Sequence, residues 1–354
     1  MPEIEAVAAI DAETLARFDA VIDVRSPAEF AEDHIPGALN LPVLNDEERA
    51  RVGAIYVQES RFEARRIGAA IIARNVAAHL DAALADQGGG FRPLVYCWRG
   101  GQRSAAMATI LANVGWRTGV LVGGYRTWRR QVVARLYDGE IAHARIVLID
   151  GPTGAGKTAL LARLGEKGAQ VLDLEALAAH RGSLFGALPG RGQPSQKLFE
   201  TRLLGALDAL DPARPVFVEA ESSKVGERMV PPALWARMAA APRITLTAPP
   251  AARARYTASA YADIARDPQA IHAILARLPR TTAKQALAEW RALADAGDHE
   301  ALALALIEAH YDPAYARSAR QETRALLGAV ELEQVTDAGL AQAADAVLQL
   351  AGDP

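Results

Sequence analysis

Arg145-Ile146-Val147-Leu148-Ile149-Asp150-Gly151-Pro152-Thr153-Gly154-Ala155-Gly156-Lys157-Thr158 is the stretch from which the fold can be read. Its first six residues predict a buried strand, and the glycine-rich turn after them leads into a predicted helix. Gly151 to Thr158 fits the spacing Gly-x4-Gly-Lys-Thr, and a strand–turn–helix context is what gives that spacing meaning. Backbone N–H groups in such a turn can cradle phosphates, with Lys157 as a charge on them and Thr158 available to a Mg²⁺ ion. Gly151, Gly154, Ala155, Gly156, Lys157 and Thr158 are therefore the candidate diphosphate-binding residues, and Thr158 is the candidate metal ligand. The bland alternative is a glycine-rich turn with no ligand.

On the C-terminal side, strands are expected at 170–173, 216–220 and 243–248, with helices between them. Val216-Phe217-Val218-Glu219 is an apolar strand ending in an acid. Glu219 either holds a metal's water, contacts substrate, or is an ordinary strand-end carboxylate. From about 250 onward the pattern is helical and no strand is expected. On the N-terminal side, Asp138-Gly139-Glu140 marks a junction. Before it, strands are expected at 21–24, 93–96 and 119–124, with helices at 45–58, 62–86, from 103, and 125–137. Strands alternating with helices imply parallel sheets covered on both faces. The expected organisation is α/β in two domains, 1–138 and 139–354, a number that suits 354 residues.

The chain is 51% hydrophobic and 23% charged, the composition of a soluble globular protein. Met1-Pro2-Glu3-Ile4-Glu5 lacks the basic start and apolar core of a signal peptide. No apolar run reaches the roughly 18 residues of a membrane helix, so a cytoplasmic protein with no membrane partner is expected. The net charge of -3 neither announces nor excludes a nucleic-acid partner, because local patches outweigh the sum. A single cysteine excludes an internal disulfide and a cysteine-based zinc site.

That cysteine, Cys97, follows the predicted strand Pro93-Leu94-Val95-Tyr96 and heads the loop Cys97-Trp98-Arg99-Gly100-Gly101-Gln102-Arg103. A sulfur at a helix N-terminus meets unpaired N–H groups and the positive end of the helix dipole, which favour the thiolate. Gly100 and Gly101 allow the backbone to curl into an anion-binding nest, and Arg99 and Arg103 add positive charge. Cys97, Arg99 and Arg103 are the candidate catalytic residues. Trp98, Gly100, Gly101, Gln102 and Ser104 complete the chalcogen- and anion-binding loop.

Four separated segments resemble the rhodanese family in order and spacing over residues 5–137. They are Asp23-Val24-Arg25-Ser26-Pro27-Ala28-Glu29-Phe30, then His34-Ile35-Pro36-Gly37-Ala38-Leu39-Asn40, the cysteine loop, and Gly123-Gly124-Tyr125-Arg126-Thr127-Trp128. The resemblance implies a rhodanese-like domain whose cysteine carries sulfur or selenium, with Asp23 and Arg25 in support. The Cys-x5-Arg spacing is longer than the usual rhodanese loop and resembles rhodanese-fold and tyrosine phosphatases. Tyr96, where tyrosine phosphatases usually have histidine, and the bulky Trp98 speak against a phosphatase. Selenophosphate, a soft atom on a tetrahedral anion, suits both features.

A rhodanese-like domain followed by a P-loop NTPase-like domain resembles the tRNA 2-selenouridine synthase family. The resemblance adds Glu48-Arg49 to Tyr56, His180-Arg181-Gly182-Ser183-Leu184-Phe185-Gly186, Gln193-Pro194-Ser195-Gln196 and Glu219-Ala220-Glu221-Ser222. It implies replacement of the sulfur of wobble 2-thiouridine in tRNA by selenium from selenophosphate. The route it implies passes through S-geranyl-2-thiouridine made with geranyl diphosphate. No cofactor is expected to be tightly bound; selenophosphate and geranyl diphosphate are substrates, and an enzyme supplying selenophosphate is a partner. Competing readings are an ATP-dependent kinase or ligase with a rhodanese sulfur donor, and a regulatory fusion.

The long loop from His180 to Gln196 carries Arg181, Arg191 and Lys197, and either closes over the P-loop ligand, grips the wobble base or is a surface excursion. Ser183, Gln193, Gln196 and Glu219 are the candidate substrate contacts. Three arginine sets at helical spacing are candidate tRNA stripes: Arg61, Arg65, Arg66 and Arg74; Arg126, Arg129, Arg130 and Arg135; and Arg253 and Arg255 with Tyr256.

Overall fold

The computed structural model describes residues 4–139, 141, 145–188, 190, 192–220, 222–278 and 283–352. Met1 to Glu3, Glu140 of the expected junction, Arg191 and Glu221 lie outside the described residues. The chain divides into two compact units. One comprises Met1–Asp138 with Pro194–Gly205, and the other Gly139–Gln193 with Ala206–Pro354.

The first unit is built on a parallel five-stranded sheet of β1 (Glu5–Val7), β2 (Ala20–Asp23), β3 (Leu39–Asn40), β4 (Pro93–Tyr96) and β5 (Gly119–Leu121), in the order β1-β5-β4-β2-β3. All four residues of β4 are buried, as a central strand of a covered parallel sheet requires. Ile22, Val24, Val95, Met107 and Leu111 form the heart of its core, each 0% exposed. The helix expected over 125–137 is α-helical over Tyr125–Val133 and widens into a π-helical turn over Ala134–Asp138.

Residues 194–205, expected in the second domain, belong to the first unit. The reason is tertiary. Glu200 is fully buried, and Arg129 and Tyr137 both bind its carboxylate, while the Trp128 indole N–H donates to Thr201 Oγ1 at 3.3 Å. A buried carboxylate without such partners would be costly, so these bonds fix where the segment packs.

The second unit holds another parallel five-stranded sheet, from β6 (Arg145–Asp150), β7 (Gln170–Leu172), β8 (Pro215–Glu219), β11 (Arg243–Thr247) and β12 (Leu326–Glu331). Its order is β12-β11-β6-β8-β7, and a small antiparallel pair, β9 (Lys224–Val225) and β10 (Arg228–Met229), stands apart. The central β6 places the phosphate loop where the chain departs to either side of the sheet, which is where α/β sheets bind ligands.

β12 corrects the expectation of an entirely helical C-terminal part. It is an edge strand of Leu, Gly and Ala with one buried side chain, Val330, so neither propensity nor period announces it. The remaining helices have a core of their own, around Ile264, Ile271, Leu275, Trp290, Leu302 and Leu306. No helix among the described residues is long and apolar enough to cross a membrane.

Candidate functional site

In the first unit, Cys97 follows the C-terminal end of the central strand β4, and its loop opens the helix Gln102–Val114. Cys97 is the free, buried cysteine. Its Sγ accepts hydrogen bonds from the Gly101 N–H and the Ser104 hydroxyl, both at 3.2 Å. Burial alone would raise the thiol pKa. Hydrogen bonds from the Ser104 hydroxyl and from the N–H groups of Ser104, Arg99 and Gly101 outweigh it and hold the thiol below its ordinary value.

Gly124 explains why the distant glycine pair matters. At φ +59° it passes so close to the cysteine loop that a Cβ would lie 2.2 Å from the Cys97 carbonyl oxygen. That approach lets the Tyr125 N–H donate to Cys97 O at 2.8 Å and the Arg126 N–H donate to Trp98 O at 3.3 Å. The loop is thus fastened from outside as well as closed from within.

Asp23 and Arg25 form a fully buried ion pair, with the Arg25 guanidinium also donating to Asp33 O at 2.6 Å and lying 4.1 Å from the Tyr125 ring centroid. Burial opposes the Arg25 charge, but the bond to Asp23 and its negative charge outweigh burial and raise the guanidinium pKa. The Tyr125 hydroxyl donates to Asp33 Oδ2 at 2.6 Å, and burial raises the Asp33 carboxyl. These groups do not touch Sγ. They fix the floor on which its loop rests.

The two loop arginines differ. Arg103 does not stand free at the sulfur: its guanidinium holds Glu29 at 2.7 and 3.3 Å, and Arg49 binds the same carboxylate at 2.9 Å. Glu29 resists burial, yet Arg103's bond and charge keep its carboxyl below the usual range. Arg99 and Gln102 are exposed, and Trp98 is half-buried with its ring 5.2 Å from that of Tyr125.

In the second unit, Gly151, Gly154 and Gly156 all have positive φ, at +150°, +81° and +85°. A Cβ on Gly151 would lie 2.1 Å from Leu246 O, so the turn is as tight as its sequence spacing implies. Ala155 is fully buried beneath the turn. Lys157 Nζ donates to Gly151 O at 3.1 Å and lies 3.5 Å from Glu219 Oε1. The Thr158 hydroxyl is 3.0 Å from Glu219 Oε2 and 3.2 Å from Glu175 Oε2. Glu219 therefore joins the phosphate loop. A hydroxyl and two carboxylates are hard oxygen donors of the kind Mg²⁺ takes beside phosphates, so these residues fit that ion.

Glu29, Asp33, Tyr125 and Glu175 were not singled out from the sequence for any role. Glu29, Tyr125 and the neighbour of Asp33 lie within the quoted rhodanese-like segments, which was the available signal; Glu175 had none. Of the other candidates, Gln193 is consumed by backbone, bonding to Ala178 O, Val225 O and the Glu227 N–H. Gln196 lies in the first unit and bonds Glu200 at 2.9 Å. Ser183 pairs with the Tyr261 hydroxyl at 3.0 Å. Arg253 leaves the set of tRNA stripes: it is buried, bidentate to Asp312 at 2.7 and 2.8 Å, and braces the phosphate loop through Thr153 O.

Beside the phosphate loop the second unit contains a pocket whose wall includes Thr153. Phe185, Ile264, Ile271, Leu302, Leu306 and Ile307 line it, together with Ala258, Ala303, the Tyr261 and Tyr311 rings, and the polar Ser183, Thr257 and His299. It is an apolar cavity next to an anion cradle.

Two known domain families match successive stretches of the chain. Residues 5–131 match the rhodanese-like domain, and residues 144–276 match the tRNA 2-selenouridine synthase AAA domain. Among curated relatives, the tRNA 2-selenouridine synthase of Nitrosomonas europaea is 39% identical over 215 residues, covering 60% of this chain and 55% of the relative. The enzyme of that name from Bdellovibrio bacteriovorus is 35% identical, covering 65% and 61%. That from Aeromonas salmonicida is 37% identical, covering 66% and 62%. The matched stretch thus spans only 55% to 62% of these relatives' own length.

Proposed function

We propose that this chain, which carries a rhodanese-like domain followed by a tRNA 2-selenouridine synthase AAA domain, is a tRNA-modifying selenotransferase acting in the cytoplasm. It replaces the sulfur of wobble 2-thiouridine with selenium from selenophosphate, through an S-geranyl intermediate made with geranyl diphosphate. The observation that carries this reading is the apolar pocket walled by Thr153 of the phosphate loop. A nucleotide would set a polar, hydrogen-bonding base and ribose beyond its phosphates, whereas a prenyl diphosphate sets hydrocarbon there. Apolar lining rewards hydrocarbon at roughly 25 cal/mol per Å² buried, and against it stand only a few polar atoms, the Thr257 hydroxyl and His299 Nδ1 among them.

In this reading the loop N–H groups and Lys157 hold the diphosphate and stabilise the charge it gains on leaving. The thiocarbonyl sulfur of the tRNA takes the geranyl carbon, so a C–S bond forms as the C–O bond to diphosphate breaks. Thr158, Glu175 and Glu219 would hold a Mg²⁺ ion, which would add positive charge to the leaving group when bound. The Cys97 loop then receives selenophosphate on its N–H donors, with Arg99 at its rim. The selenium of selenophosphate adds at C2 of the geranylated base, so a C2–Se bond forms and the C2–S bond breaks with loss of geranyl thiol, while water takes the phosphoryl group as the P–Se bond breaks and phosphate leaves. Cys97 is the thiolate that handles the selenium.

Thermal unfolding with geranyl diphosphate, ATP and GTP tests the assignment. Geranyl diphosphate should stabilise the protein and nucleotides should not; stabilisation by nucleotides alone would return the chain to the ATP-dependent kinase or ligase class. Nucleoside mass spectrometry with each donor supplied separately should then show S-geranyl-2-thiouridine before any 2-selenouridine.

A further inference from the structure

The first unit contains a second feature that the chalcogen loop does not use. A cleft of about 490 Å³ is lined by Trp98, Tyr125, Arg126, Arg129 and Arg130, with Lys197, which is paired to Glu32, and one carboxylate, Asp138, among its other residues. Trp98 is the residue after Cys97, and the Arg126 N–H donates to its carbonyl, so the cleft is tied to the sulfur's own loop. The Trp98 ring lies 5.2 Å from the Tyr125 ring at a tilt of 30°, backed by a buried phenol whose hydroxyl is fixed on Asp33. That makes a braced aromatic wall rather than a mobile side chain.

Charge surrounds this wall. Arg126 and Arg130 sit four apart on the helix Tyr125–Val133 and are exposed, so they share a face. Arg126 forms no ion pair among the described residues, and Arg130 is held only by the Thr127 hydroxyl at 3.2 Å. Arg129 is bound to Glu200, yet its Nη1 is buried with no hydrogen-bond partner, a donor left for a ligand or water. Elsewhere Arg66 pairs with Glu63, Arg61 covers the Tyr56 ring, and Arg253 is buried against Asp312.

We propose that this cleft receives an unpaired nucleotide of an RNA loop, its base stacked against Trp98 and its flanking phosphates on Arg126 and Arg130. The inference rests on the tRNA reading above and names the surface that would present the base to Cys97. An inorganic anion would need the arginines but not the indole. A duplex would need cations but no stacking wall, because its bases are already stacked. Aromatic surface interleaved with unpaired cations is what single-stranded RNA requires.

The test uses the full chain and a labelled RNA stem-loop with an unpaired loop, beside a blunt duplex of the same stem. Wild type should bind the stem-loop in preference to the duplex. Arg126→Glu/Arg130→Glu should raise the stem-loop Kd by roughly 10–100-fold and flatten its salt dependence by about one to two units of slope, with thermal unfolding unchanged. Trp98→Ala should raise Kd about tenfold, and Trp98→Phe should restore most of the loss. Stem-loop binding that is intact in both the double variant and Trp98→Ala would overturn the cleft while leaving the tRNA reading standing. Equal binding of duplex and stem-loop would overturn the unpaired occupant. Failure of wild type to bind either RNA would overturn the tRNA reading itself.

Discussion

The Cys97 loop and the phosphate loop share a plan, strand then a turn through positive-φ glycine then helix, but they are braced in opposite ways. In the first, the anion is part of the protein: Sγ takes the loop's own N–H and O–H donors, while Arg103 is drawn away to Glu29. In the second, carboxylates stand at the edge of the turn, Asp150 on the Gly151 N–H and Glu219 on Thr158, and Lys157 rests between a backbone carbonyl and Glu219. A loop that satisfies its own sulfur suits an atom that is held and passed on. A loop whose cation rests on weak internal partners suits a ligand that comes and goes.

Matched glycine substitutions should break the comparison most sharply. Gly124→Ala forces a Cβ within 2.2 Å of Cys97 O, and Gly151→Ala within 2.1 Å of Leu246 O. Each should cost about 3 kcal/mol or more in chemical denaturation, because backbone cannot yield as a side chain can. Gly124→Ala should slow alkylation of Cys97 relative to wild type and spare stabilisation by geranyl diphosphate; Gly151→Ala should do the reverse. Loss of both properties in both variants would show that the loops are not independent.

Lys157→Ala should reduce formation of S-geranyl-2-thiouridine about 100-fold, the usual cost of losing a charge-stabilising group, and leave the Cys97 alkylation rate as it was. Ala258, half-buried in the wall of the apolar pocket, offers a smaller change. Ala258→Phe should raise the KM for geranyl diphosphate about tenfold by taking up space for the tail, without weakening inorganic diphosphate. Equal weakening of both ligands would place the tail elsewhere.

The smallest effect is a shift in pH. Hydrogen bonds to Sγ lower the Cys97 pKa against burial, so removing the Ser104 hydroxyl must raise it. The alkylation midpoint of Ser104→Ala should move to higher pH, and the rate at pH 7 should fall because less thiolate is present. A midpoint that stays in place would assign the low pKa to the N–H groups alone.

Both loops were legible in the sequence because their chemistry is local: glycine spacing and a strand-to-helix turn are written within a dozen residues of each reactive group. What braces them was not. Arg103 and Glu29 are 74 positions apart, and Glu219 reaches Thr158 across 61, so no spacing rule pairs them. The edge strand β12 escaped because its Leu, Gly and Ala residues carry no strand signature. Residues 194–205 escaped because Glu200, an unremarkable acid in a helix pattern, is buried against Arg129 and Tyr137. Arg253 read as surface charge because nothing in its neighbourhood foretells Asp312.

The division of labour between the loops is tested most directly by Cys97→Ser. Nucleosides from thiolated tRNA, incubated with this variant, geranyl diphosphate and selenophosphate, should be resolved by mass spectrometry. S-geranyl-2-thiouridine should accumulate and 2-selenouridine should be absent. Formation of 2-selenouridine at the wild-type rate, or equal loss of the geranylated nucleoside, would contradict that division.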